Sequence, residues 1–336
     1  MKAAIRSIAY YLPNGVLTNE QLALEYTGWS SQKIEEKTGI QERHIARETE
    51  CSSDLATAAG LEVFKMGHCL PTDVDYVLMC TQSPDYFLPT TACLVQERLG
   101  LNTYCGAVDI NLGCSGYVYG LGLGKGLIET GQAINVLLIT ADTYSKYIHP
   151  GDKSVRTIFG DAAAATLLQA VSSEDTRIGP IVYGTDGRGA GNLIVPTGGL
   201  RMASMANAKV KEDESGNKRT INNLHMKGAE IFTFTLKVVP ETVYRLLAKS
   251  DKKLEDIDLF LFHQANRYVL DHLKRKLNIP DEKMPVLMAH CGNTVSSSIP
   301  ILMSDLEQSG RLQKGMCLML LGFGVGYSWA GSIVTW

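Results

Sequence analysis

Cys114, His263 and Asn293 are the residues of this chain whose types and settings could do chemistry: a nucleophile, a base or hydrogen-bond donor, and an amide donor. Cys114 stands where an apolar strand ends and a helix begins, in Asp109-Ile110-Asn111-Leu112-Gly113-Cys114-Ser115-Gly116-Tyr117. A thiol at a helix N-terminus faces free backbone N–H groups, which favour an anion and lower a cysteine pKa from about 8.5. Taken alone, Cys114 could be one more inert, buried cysteine; the strand-to-helix elbow argues for a nucleophile. His263 follows an apolar strand at 259–262, at the rim where parallel α/β sheets place ligand chemistry, although a hydrogen-bonded core histidine would sit there too. Asn293, in His290-Cys291-Gly292-Asn293-Thr294, could be a donor or a helix N-cap.

The elements that must position these residues form a repeat. Cys114 lies 17 residues before Gly131 and Asn293 lies 17 before Gly310, and each span runs through a helix and a Gly turn into an apolar strand, at 135–140 and 316–321. Upstream, residues 73–78 mirror 256–261 and run on to Cys80 in one copy and His263 in the other. The offsets of 183 and 179 residues predict one duplicated unit, whose equivalent strand ends would meet about a pseudo-twofold axis and bring the three residues together. Strands at 76–80, 107–110, 135–140, 162–168, 259–262 and 317–321 alternate with helices at 52–66, 91–99, 115–130, 228–248 and 267–277. That alternation predicts an α/β protein with a mostly parallel sheet covered on both faces. The halves, 1–171 with the cysteine and 172–336 with the His and Asn, meet at the polar Ser172-Ser173-Glu174-Asp175.

Composition narrows the classes. With 336 residues the chain can bury a large core, and a net charge of −3 with pI near 6.2 provides no global attraction to nucleic acid or membrane. A hydrophobic fraction of 45% and a charged fraction of 20% are those of an ordinary soluble protein, without an apolar run of membrane-span length. The N-terminus enters an alternating strand and offers no signal-peptide core. Eight scattered cysteines make no disulfide framework and have no zinc-ligand spacing, so a cytoplasmic protein without a metal is expected. Gly322-Phe323-Gly324-Val325-Gly326 has a phosphate-loop look but leads into an apolar run, not a helix; it reads as a tight turn whose N–H groups face an oxyanion, or as a plain β-turn. The polar stretch 198–223 reads as a solvated surface loop, with a lid or partner-facing loop as the functional alternative.

Over essentially its whole length the chain resembles the β-ketoacyl-acyl-carrier-protein synthase III family of the thiolase superfamily. The motifs that carry the resemblance are Thr38-Gly39-Ile40 with Arg43-His44-Ile45, the Cys114 elbow, Phe159-Gly160-Asp161, Met226-Lys227-Gly228, His263-Gln264-Ala265-Asn266, Gly292-Asn293-Thr294 and the C-terminal glycine turn. The resemblance implies a thiolase-like fold, two duplicated halves in a five-layered αβαβα sandwich, usually as a homodimer. It implies that Cys114 takes an acyl group from acyl-CoA, and that His263 and Asn293 stabilise the enolate formed when malonyl-acyl carrier protein loses carbon dioxide. Backbone N–H groups of Cys114 and Val325 would hold the tetrahedral oxyanion, and Phe159, Met226, Gly228, Asn266 and Phe323 would contact substrate. CoA is then a substrate, and no metal or redox cofactor is implied.

The chain departs from the family pattern at the CoA channel, where Lys33 replaces an adenine-stacking tryptophan, Lys37 its arginine neighbour and Lys153 a second arginine. Lysine cannot stack as a flat ring or guanidinium does, and Trp29 lies close by but out of register. Leu88 replaces a bulky aromatic that the partner subunit contributes to the acyl pocket, which predicts room for a longer chain. Lys274, Arg275 and Lys276 end the helix after His263 with positive charge and match positions used for carrier-protein docking, or form a solvated, dipole-favoured terminus. The alternatives within the fold are an acyltransferase of a specialised pathway and a non-condensing partner subunit. A papain-like hydrolase shares the Cys-His-Asn set but not the duplicated strand-helix pattern.

Overall fold

A computed structural model describes residues 1–172 and 177–336. Five strands, β1 (Lys2–Tyr11), β2 (Tyr76–Cys80), β3 (Gly106–Ile110), β4 (Asn135–Asp142) and β5 (Ala162–Val171), form one sheet in the order β1-β5-β4-β2-β3. Four more, β6 (Arg177–Thr185), β7 (Leu259–Phe262), β8 (Cys317–Gly324) and β9 (Ser328–Thr335), form a second in the order β7-β8-β9-β6. The orders superimpose when β2, β4, β5 and β1 are matched to β7, β8, β9 and β6, which leaves β3 as an extra edge strand with one neighbour. The segment 173–176, where the sequence places most of the junction between halves, lies outside the described residues.

Matched registers make the duplication concrete. Tyr76 pairs with Val136 in the first sheet, and Leu259 pairs with Leu318 in the second. The carboxylate of Asp75 accepts the N–H groups of Ile134 and Asn135, and that of Asp258, its counterpart, accepts the N–H of Cys317 at 2.7 Å. Each aspartate therefore ties the start of one parallel strand to the next.

The sheets are mixed, not mostly parallel. β2 pairs in parallel with β3 and β4, and β7 with β8, but β1-β5, β5-β4, β8-β9 and β9-β6 are antiparallel. The sequence pattern misses this because strands buried on both faces read as continuous apolar runs in either orientation. What decides is the connection: Val325, Gly326 and Tyr327 turn β8 directly into β9, and no crossover helix intervenes.

Alternation along the strands sorts side chains into three apolar layers. Leu78, Val136 and Leu138 point inward and meet Leu259, Leu261, Leu318 and Leu320 across two central helices, α3 (Gly116–Glu129) and α6 (Ser298–Gln308). Val77, Met79, Leu137 and Ile139 point outward onto α1 (Ser52–Lys65) and α2 (Thr91–Arg98). Phe260, Phe262, Met319 and Leu321 pack on α4 (Gly228–Lys249) and α5 (Arg267–Leu277). The result is the αβαβα sandwich, with Cys114 just before the N-terminus of α3 and Asn293 ahead of the 3₁₀ turn that leads into α6.

The stretch 198–223 is largely exposed, as its composition suggests, but it is not without structure. It forms a small hairpin, Lys211–Glu212 against Lys218–Arg219, pinned to the body by the Lys218 N–H on Gly151 O. Arg219 pairs with the fully buried Asp152 at 2.9 Å, a charge contact whose N–H is not aligned as a hydrogen bond, and also with Asp213. Arg219 reads as solvent-facing because its partner, Asp152, lies far away in sequence.

Candidate active site

Cys114, His263 and Asn293 line one cavity of about 90 Å³. Phe159, Met226, Gly228, Asn266 and Phe323 share its wall. A larger hollow of about 830 Å³ lies on the other side of Phe159, between Gly15–Leu17, Arg47 and Lys146, but no cysteine lines it, so the chemistry belongs to the smaller cavity.

The thiol is placed by the close approach of the two halves. At Gly322 a Cβ would stand 2.5 Å from Cys114 O, so β8 can run against the elbow there only as glycine, and at Gly324 one would stand 3.1 Å from Cys114 Cβ and Sγ and push on the thiol. Ser115 Oγ meets Ser328 Oγ at 2.8 Å and ties the same elbow to β9. Among the described residues no oxygen accepts from the backbone N–H of Cys114 or of Val325, and the Val325 side chain packs over Gly113 beside the thiol.

The electrostatics differ from the helix-terminus expectation. Burial pushes the Cys114 thiol up to about 12, and the Asp142 carboxylate adds to the rise. Desolvation of an anion outweighs a helix N-terminus when no cation stands beside the sulfur. Burial also lowers His263 to about 3, so its imidazole is neutral. Asp142 itself is raised by burial to about 7, although Gln82 N–H and Ser296 O–H both donate to it.

Asn293 is held by the first half of the chain. Its N–H donates to Ile158 O at 2.9 Å and its carbonyl accepts from Gly160 N–H at 3.0 Å, around a bridge to Phe159. The side chain does not cap α6, which follows a 3₁₀ turn at Val295–Ser297. Its Oδ1 instead accepts from Val295 N–H, and Nδ2 donates to Ala265 O. Asn266 is the N-cap of α5, with Oδ1 accepting from Val269 N–H.

The other expected contacts lie outside the cavity. Leu88 is 83% exposed on a loop with exposed Tyr86 and Phe87. Lys33 and Lys37 bring their ammonium groups within 5.3 and 5.0 Å of the Trp29 ring, so the tryptophan that is out of register in sequence is bracketed by both lysines in space. Lys153 lines a separate cleft with Tyr26 and Lys218. Lys274 is engaged by Asp271 and Asp281, so it presents no free charge, Lys276 donates to Leu236 O, and Arg275 lies beside His272. An aromatic cluster of Phe232, Tyr268 and His272 adjoins them at the cavity wall.

Sequence reasoning missed Asp142, Gln82 and Ser298. The one signal was the run Ser296-Ser297-Ser298 in an otherwise apolar stretch, since buried hydroxyls need partners. Ser296 meets Asp142, Ser297 meets Thr140 and Ser298 meets His263.

Two duplicated halves in one αβαβα sandwich, closing on a buried cysteine, define an acyl-transferring condensing enzyme of the thiolase fold. The 3-oxoacyl-[acyl-carrier-protein (ACP)] synthase III family matches residues 108–187, and its C-terminal region matches 247–336. A β-ketoacyl-[acyl-carrier-protein] synthase III of Caldanaerobacter subterraneus is 34% identical over 99% of this chain and 98% of its own. A solved 3-oxoacyl-(acyl-carrier-protein) synthase III superposes with a TM-score of 0.99 at 55% identity, covering 100% of both chains. The corresponding synthase of Burkholderia xenovorans LB400 superposes at 0.91 with 36% identity, covering 100% of this chain and 94% of that one. The chain belongs to the β-ketoacyl-[acyl-carrier-protein] synthase III family.

Proposed function

We propose that the protein condenses an acyl group, delivered as acyl-CoA or another thioester, with malonyl-acyl carrier protein in fatty acid or related biosynthesis. The observation that carries this reading is that a thiol, a neutral imidazole and a primary amide share one cavity beside two backbone N–H groups from which, among the described residues, no oxygen accepts.

The thiol Sγ of Cys114 attacks the donor's carbonyl, and CoA leaves with the thiol's proton. Transfer between thiols conserves charge overall, which suits a sulfur that burial holds protonated. The malonyl group then loses carbon dioxide, and its electron pair enters the thioester carbonyl as an enolate. Donors from His263 and Asn293 stabilise that oxygen in a water-poor site, where fixed dipoles act strongly. The enolate carbon attacks the acyl-cysteine, and the oxyanion sits on the N–H groups of Cys114 and Val325. Collapse expels the Cys114 thiolate, which takes up a proton. Carbon dioxide release drives the sequence, so neither a metal nor a redox cofactor has a step to perform.

The substrate approaches are part of the same reading. Trp29 with Lys33 and Lys37 supplies an aromatic face and cations for an adenine nucleotide, and Lys153 in its own cleft supplies a further cation. Arg275 and Lys276, beside the Phe232-Tyr268-His272 cluster, form a docking face for an acidic carrier protein. A cytoplasmic homodimer would pair the open edge of β3 and bury the exposed Tyr86-Phe87-Leu88 loop, placing Leu88 against the partner's acyl pocket. Among the described residues no helix is long and apolar enough to cross a membrane.

Intact-mass spectrometry with a panel of acyl thioesters, followed by malonyl-carrier protein, tests the function. The expected result is one acyl adduct that disappears as carbon dioxide is released. An adduct that persists and releases none would establish an acyltransferase instead.

A further inference from the structure

His263 meets the cavity with only one of its ring nitrogens. Its Nδ1 lies 2.7 Å from Ser298 Oγ, and among the described residues nothing bonds Nε2. A neutral imidazole has one donor and one acceptor nitrogen, so the partner of Nδ1 decides what Nε2 offers a substrate. Ser298 is buried at the start of α6, and its Oγ already receives the Gln264 N–H at 3.4 Å. Among the described residues the only acceptor in reach of its hydroxyl proton is His263 Nδ1. The reverse arrangement would leave that buried proton unpaired, which disfavours it by roughly one to two orders of magnitude in the tautomer equilibrium.

We propose that Ser298 is a positioning residue that fixes His263 as its Nε2–H tautomer, so that the imidazole faces substrate as a hydrogen-bond donor and not as a base. The consequence for the reaction rests on the condensation reading above. The adjoining turn treats Asn293 in the same way: Val295 N–H occupies Oδ1 at 2.9 Å and Ala265 O takes one Nδ2 hydrogen at 3.2 Å, which leaves the other for the cavity. One short segment, 293–298, thus turns both side chains into donors. The Cys114 proton then has no route to His263 and leaves with the outgoing thiol.

The test is a long-range proton–nitrogen NMR spectrum of the nitrogen-15 histidine-labelled enzyme, with His263 assigned by its absence from His263→Asn. The expected pattern is an acceptor-type Nδ1 and a protonated Nε2 in the wild type, mixed tautomers in Ser298→Ala and recovery in Ser298→Thr. Carbon dioxide release should fall about tenfold in Ser298→Ala, with acyl-enzyme formation changed by less than about twofold, because only the donor orientation is lost. A protonated Nδ1 in the wild type would overturn the proposal without any variant, and so would an Nε2–H tautomer that persists in folded Ser298→Ala. A wild type with the expected tautomer that releases no carbon dioxide would instead refute the condensation reading and leave the role of Ser298 standing.

Discussion

The two elbows at the cavity occupy matched places in the repeat but differ in how the chain reaches the helix: Cys114 follows the strand β3, whereas Asn293 follows an irregular segment. Gly113-Cys114-Ser115 enters α3 directly, whereas Gly292-Asn293-Thr294 enters a 3₁₀ turn first, with the β-branched Val295 at φ 55°. A non-glycine residue in that left-handed region costs on the order of 1–3 kcal/mol and persists only where its surroundings enforce it. Here it delivers the Val295 N–H to Asn293 Oδ1. In the first elbow the Cys114 N–H has no oxygen acceptor among the described residues; the second elbow uses an N–H to aim a side chain. The pair Cys80 and His263, matched in the repeat, diverges likewise. The Cys80 thiol donates to Leu112 O and burial holds it protonated, while His263 faces the cavity. On the proposed reading, duplication supplies two equivalent frames, and local hydrogen bonding decides which one makes the covalent bond and which one donates.

Removing the thiol is the severest way to break this division. Cys114→Ala should form no acyl adduct with any thioester, read by intact mass; an adduct of normal mass would move the nucleophile elsewhere. Next come the donors of the second half. His263→Ala and Asn293→Ala should each lower carbon dioxide release by about 10² to 10³ while the acyl adduct still forms. Equal loss of acylation and condensation would show that the halves do not divide the work.

The seam between the elbows is tested by Gly322→Ala. Its Cβ would meet Cys114 O and Ser115 Cα, which are backbone atoms and cannot swing aside. A loss of about 1–3 kcal/mol in denaturant unfolding is expected, with slower acylation; unchanged values would mean that β8 does not set the thiol.

The smallest effect separates the buried titrating groups. His263 is lowered from 6.5 to about 3, so its contribution to stability is present above pH 6.5 and is lost as the pH falls through that window. Asp142 is raised from 3.8 to about 7 and has the opposite sign: its contribution is present below 3.8 and lost as the pH rises through about 7. The two oppose each other in the wild type. His263→Ala removes one of them, and between about pH 4 and 6 its stability should lose about 1.4 kcal/mol less per pH unit on acidification than the wild type does. Parallel urea-unfolding curves against pH would show that His263 is not held neutral.

The repeat was legible because backbone needs recur in local sequence. Apolar strands, the Asp73/Asp256 motifs, the glycine turns and the elbows sit at constant offsets, and these identified the fold, the family, and Cys114, His263 and Asn293. Strand direction at β5 and β9 was not legible, since apolar runs look alike in both orientations. The thiol's environment was not legible either: a helix N-terminus is a local feature, but desolvation depends on everything packed around the sulfur, including Asp142 and the second sheet. Nor could Lys274 be separated from Arg275 and Lys276, because Asp281 reaches it only after the chain turns back at Asn278. The sequence by itself determined which residues could react and the frames that carry them. Tertiary structure alone decided which nitrogen of His263 and which end of the Asn293 amide face the cavity, because those choices rest on single hydrogen bonds from Ser298 and Val295 between residues far apart or buried in the fold.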